Sequence, residues 1–106
     1  MNYAPLFFAG ALLCNCIPHL AAGLQGVPFP TPFARPRGVG NSSPFVNFLW
    51  GAFNLGAGLT ILSYHPIVVG ANFDCLAMTG GALLLGTYLS RHFGKVRRER
   101  VAAASQ

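Results

Sequence analysis

Residues 42–64 read S-S-P-F-V-N-F-L-W-G-A-F-N-L-G-A-G-L-T-I-L-S-Y. No side chain from Pro44 to Tyr64 carries a formal charge. A hydrocarbon core about 30 Å thick takes about 20 residues of helix, and this run has that length. Its start is marked by Ser43, whose hydroxyl can cap an early backbone N–H, and by Pro44, favoured at the first helical position. Its end is marked by His65-Pro66, because proline disfavours helical backbone in the residue before it. The segment predicts a transmembrane helix.

The same test applied outward finds a second run at 4–24, again without formal charge. Pro18 lies inside it, removing one backbone hydrogen bond, which a membrane tolerates where neighbours serve the freed carbonyl. Residues 1–5 hold no Lys or Arg and the run is long enough to span, so a cleavable signal peptide is not expected. A third span is predicted at 67–90. It starts either at the His65-Pro66 turn or nearer Phe73, and Asp74 makes the two starts differ. With a start at Ile67, Asp74 would lie about 10 Å inside the outer boundary. With the later start it caps a helix near water. Composition agrees: 53% of residues are hydrophobic and 8% charged, against about 25% charged in soluble domains. The prediction is one all-α membrane domain, an integral bundle of three transmembrane helices over residues 1–106.

Between the first two spans, residues 25–43 hold Pro28, Pro30, Pro32 and Pro36, which rule out a regular helix. An extended loop with Phe29 and Phe33 on its apolar edge is expected, lying at the membrane surface or folded back over the bundle. Beyond the third span, 91–106 is a basic tail, expected to fray at its end. The seven basic residues are Arg35, Arg37, Arg91, Lys95, Arg97, Arg98 and Arg100, all in this loop and this tail. Three spans put loop and tail on one side, which sets the N-terminus outside and the C-terminus in the cytoplasm. Arg35, Arg37, Arg97 and Arg98 are expected to meet anionic lipid headgroups. A net charge of +5 arranged this way, without a recognition motif, does not point to nucleic acid.

Lipid gives helices no hydrophobic drive to associate, so small residues and polar side chains carry the contacts. Asn47, Gly51, Asn54 and Gly58 follow the spacing i, i+4, i+7, i+11 and share one helical face. Ala52, Gly56 and Thr60 form a neighbouring stripe of small residues. In the first span Asn15 and His19 share a face. Antiparallel spans place Asn15 level with Asn54 near the midplane, and His19 level with Asn47 toward the cytoplasmic side. The two faces are therefore expected to meet, with His19 opposite Asn47. Asn15, His19, Asn47, Asn54 and Asp74 are the candidates for a ligand site or polar pathway, and the alternative is that they only clamp helices. Gly51, Ala52, Gly56 and Gly58 are the candidates for helix packing.

Cys14, Cys16 and His19 read C-x-C-x-x-H, but in a helix the two cysteines point to nearly opposite sides. No metal site is expected. Nor is a haem, since His92 belongs at the interface and His19 deeper. Cys75, like the other two cysteines, reads as a small apolar packing residue. No nucleophile elbow, phosphate loop or carboxylate pair is present, so no catalytic residue and no cofactor are expected.

The pieces N-C-I-P-H (15–19), F-P-T-P-F-A (29–34) and G-V-G-N-S-S-P-F-V-N-F-L-W-G (38–51) resemble a family of short, uncharacterised bacterial multi-pass membrane proteins. The resemblance covers about a third of the chain and implies a bacterial inner membrane; it implies no activity. The chain also has the length of a small multidrug transporter, but it lacks their glutamate in the first span and has one span too few. Two function classes are carried forward. One is a transport or channel-like protein whose polar faces line a path. The other is a structural or accessory subunit of a membrane complex, or a homo-oligomer, whose polar faces hold helices together. An enzyme is the weakest of the readings.

Overall fold

The computed structural model describes residues 2–105. Three helices, α1 (Ala4–Gln25), α2 (Pro44–Tyr64) and α3 (Phe73–Ala104), are joined by a loop and a short turn. The loop between α1 and α2 carries a two-residue antiparallel ladder, β1 (Phe29–Pro30) and β2 (Asn41–Ser42), with Phe29 opposite Ser42. All three helices are long and apolar enough to cross a membrane, and the fold is all-α.

Local chemistry sets the helix ends. In α1, Pro5 lies in the first turn, and Asn2 Oδ1 accepts from the Ala4 N–H at 3.0 Å. The helix runs unbroken through Pro18, although proline withholds the N–H that would bond the Cys14 carbonyl. It ends at Gly26, whose φ of 71° is left-handed. That turn lets Val27 N–H reach Ala22 O at 2.9 Å, the usual way glycine closes a helix. Helix α2 occupies the bounds read from the sequence, and Ser43 Oγ accepts from Val46 N–H at 3.2 Å.

Helix α3 takes the later of the two starts the sequence left open and runs past the predicted end at Ser90. It begins at Phe73, not Ile67, because Asn72 organises the turn before it. Asn72 Nδ2 donates to Val68 O at 2.8 Å while its Oδ1 accepts from Cys75 N–H at 2.9 Å. At the other end the helix continues to Ala104 instead of fraying. Residues 95–104 are K-V-R-R-E-R-V-A-A-A, nearly all strong helix formers with no Gly or Pro. Its 32 residues span about 48 Å, so the basic end projects beyond a core of about 30 Å.

Helix α1 is central. It packs against both α2 and α3, which barely touch one another. Glycines bring the backbones together. A Cβ on Gly51 would lie 2.7 Å from Leu20 N, and one on Gly58 2.9 Å from the Leu13 side chain. On the α3 side, Gly10 sits against the Met78 carbonyl and Gly81 against the Phe7 carbonyl. The buried residues of α2 are Asn47, Gly51, Asn54 and Gly58, the face set by their spacing. The second stripe does not pack within the chain. Gly56 and Thr60 are exposed, Ala52 is half-buried, and a Cβ on Gly56 would meet nothing within 4 Å. Helix α2 has a single helical neighbour, so only one of its faces is covered.

The loop folds back over the ends of the helices that it joins. Thr31 is fully buried, and Pro30 and Ala34 are buried beside it. Phe29 packs at a tilt on Phe93 of α3 with ring centroids 4.6 Å apart, and Phe33 meets Trp50 of α2 edge-on at 5.1 Å. Arg100 reaches back from α3 to Asn41 Oδ1 at 2.7 Å and to the Val39 carbonyl.

Candidate functional site

Two polar layers cross the α1–α2 contact. In the deeper one, Asn15 Nδ2 donates to Asn54 Oδ1 at 3.0 Å, and Asn54 Nδ2 donates to Trp50 O at 2.7 Å. In the inner one, His19 Nδ1 lies 2.8 Å from Asn47 Oδ1. His19 is 2% exposed, Asn54 1% and Asn47 not at all. An unpaired amide or imidazole in hydrocarbon costs several kcal/mol, and these four groups remove that penalty for one another.

Asn47 is the hub. Its Nδ2 faces the carbonyls of Phe29 at 2.9 Å, Ser43 at 3.1 Å and Ser42 at 3.3 Å. Carbonyls only accept, so the amide nitrogen must point at them and Oδ1 at His19. His19 therefore donates from Nδ1. In the neutral ring the lone pair is then on Nε2, and Nε2 has no hydrogen bond among the described residues. One asparagine thus ties α1, α2 and the ladder of the loop, and fixes the histidine tautomer.

Because α2 and α3 stand apart on either side of α1, a cavity of about 320 Å³ opens between them. Asn15 and His19 of α1 form its polar floor. Trp50 and Asn54 line it from α2, and Leu85, Tyr88, Leu89 and His92 from α3. The loop closes the inner end through Pro30, Thr31, Pro32 and Gly38. Thr31 Oγ1 bonds the Ser42 hydroxyl, and His92 Nε2 donates to Gly38 O at 2.6 Å. The indole N–H of Trp50 is buried without a hydrogen-bond partner among the described residues.

The structure thus brings together Asn15, His19, Asn47 and Asn54 and leaves Asp74 apart. Asp74 sits in the first turn of α3 at the opposite end of the bundle, half-buried, where the positive end of the helix dipole favours a carboxylate. It takes no part in the polar layers, because α3 starts six residues later than Ile67. Thr31, Trp50, Tyr88 and His92 join the site unannounced by the sequence. Tyr88 and His92 are four apart and share a face, but they sit where the apolar run gives way to the basic tail, and nothing local records that the loop returns to them. Cys16 lies beside the layers, its thiol bonded to Leu13 O at 2.9 Å. Among the described residues no three of His, Cys, Asp and Glu are grouped as metal ligands would be. No family model matches the chain, and neither a curated protein nor a solved structure does.

Proposed function

We propose that the protein is a structural or accessory subunit of a bacterial inner-membrane complex, with polar faces that lock its own helices and loop. The observation that carries this reading is the mutual pairing of Asn15 with Asn54 and of His19 with Asn47, deep in the α1–α2 contact. A pathway needs polar groups at successive depths. Here the outer half of that contact is filled by Gly58 against Leu13 and by Ala9, which favours the accessory role over transport. The open small-residue face of α2 at Ala52, Gly56 and Thr60 supports a partner helix there, from a second copy or from a larger membrane protein. The C-terminus is assigned to the cytoplasm on the placement of all basic residues in the loop and the α3 end, where Arg35, Arg37, Arg97 and Arg98 would meet anionic headgroups.

Liposomes carrying the purified protein and an internal pH dye test the reading. Proton flux is expected at the level of empty liposomes, and a Gly56→Cys variant is expected to cross-link to a neighbouring helix in native membranes. Flux that disappears in an Asn54→Leu variant would restore the transport reading.

A further inference from the structure

His19 lines the cavity between α2 and α3, with Nδ1 already committed to Asn47 and Nε2 without a hydrogen bond among the described residues. Histidine oriented in this way is a fixed acceptor. Among the described residues no side chain donates to it, and the buried Trp50 N–H bordering the same space is likewise unpartnered. The walls around it say what kind of molecule could bring a donor. None of the residues lining the cavity is Asp, Glu, Lys or Arg, so a charged ligand would be desolvated without a counter-charge. Four aromatic rings, Phe8, Trp50, Tyr88 and Phe93, border the space. Aromatic walls of this kind favour a flat ring packed offset or edge-on. Phe8 and Tyr88 are 59% and 60% exposed and stand at the cavity's edge within stretches that read as membrane span. The opening therefore faces lipid, and a ligand would enter from the bilayer.

We propose that this cavity binds the hydroxylated ring of an uncharged membrane-dissolved amphiphile, an alkyl-substituted phenol or hydroquinone. Its O–H donates to His19 Nε2, and its alkyl chain leaves past Phe8 and Tyr88 into the bilayer. A volume of about 320 Å³ lies at the small end of ligand sites, which begin near 300 Å³, and suits a single substituted ring. Binding of this kind is compatible with an accessory role or a transport role of the polar layers.

The test uses the full chain in nanodiscs, with the fluorescence of Trp50, its sole tryptophan, as the signal. The probes are 4-nonylphenol and 1-fluoro-4-nonylbenzene, in which fluorine stands near the size of the hydroxyl but donates no proton. The phenol is expected to bind about tenfold more tightly, the scale of one buried hydrogen bond. In ¹⁵N spectra the His19 Nε2 resonance is expected to move on adding the phenol while Nδ1 holds. His19→Ala also removes the Asn47 bond and so tests folding as much as binding. A Leu85→Phe, Leu89→Phe double variant fills the cavity without substituting a residue of either polar layer, and should lose phenol binding at unchanged helicity. Equal affinity for the two probes, or phenol binding that survives in the double variant, overturns the proposal.

Discussion

Asn47 shows how much one side chain can hold in a membrane. Its amide serves His19 on one side and three loop carbonyls on the other. Asn47→Leu keeps the branched shape and removes every one of these bonds. The carbonyls of Phe29 and Ser42 would then lose their side-chain donor, and His19 would be left with an unserved N–H. Each orphaned buried group costs about 1–3 kcal/mol, so a loss on the order of 3 kcal/mol is expected in SDS titrations followed by circular dichroism. Asn54→Leu breaks two bonds, one from Asn15 and one to Trp50 O, and should cost about half as much. If the two variants prove equally stable, Asn47 is not the hub. His19 could be placed opposite Asn47 from depth and face alone. That Asn47 also fastens the loop could not, because its carbonyl partners at Phe29 and Ser42 are distributed along an irregular segment.

At the scale of the helices, the small residues of α2 divide into two kinds that sequence spacing cannot separate. Gly51 and Gly58 lie under α1, and Gly56 faces open space. Gly51→Leu would drive a side chain into the Leu20 backbone, and a loss of about 1–3 kcal/mol is expected from overpacking. Gly56→Leu should leave the stability of the isolated chain unchanged in detergent and weaken only assembly with a partner. Matching SDS midpoints for Gly51→Leu and wild type would mean that this face looks at lipid. The same distinction explains α3. Its apolar run is legible, but its start is decided by Asn72, which holds Val68 and Cys75 at once, so that a stretch apolar enough to continue the helix instead forms a turn.

For the whole molecule, the long end of α3 and the loop act as one cap at the same end of the bundle. Arg100 ties them through Asn41 and Val39. Arg100→Ala should free the loop and speed tryptic cleavage after Arg37 by about fivefold, the factor that accompanies about 1 kcal/mol of local stabilisation. Unchanged cleavage would show that the Asn47 and His92 bonds and the aromatic contacts hold the loop without Arg100. The orientation is tested by Ala103→Cys at the end of α3. In intact cells that thiol is expected to resist membrane-impermeant reagents and to react once the membrane is opened. Ready labelling in intact cells would reverse the topology.

Length, apolarity and charge placement in the sequence were enough to determine three membrane-length segments, the start and end of α2, and its buried face. These are local or periodic properties: hydrocarbon thickness counts residues, a serine and a proline mark a helix start, and a helix returns a side chain to the same face every three to four residues. Only the tertiary structure decided that α1 is the central helix, that α2 and α3 stand apart, and that the proline-rich loop folds inward to close the gap between them. The physical reason is that these outcomes rest on contacts between segments far apart in the chain. Gly38 meets His92 and Arg100 meets Asn41 because two helices pack on a third through glycine, and no residue near either partner records the meeting.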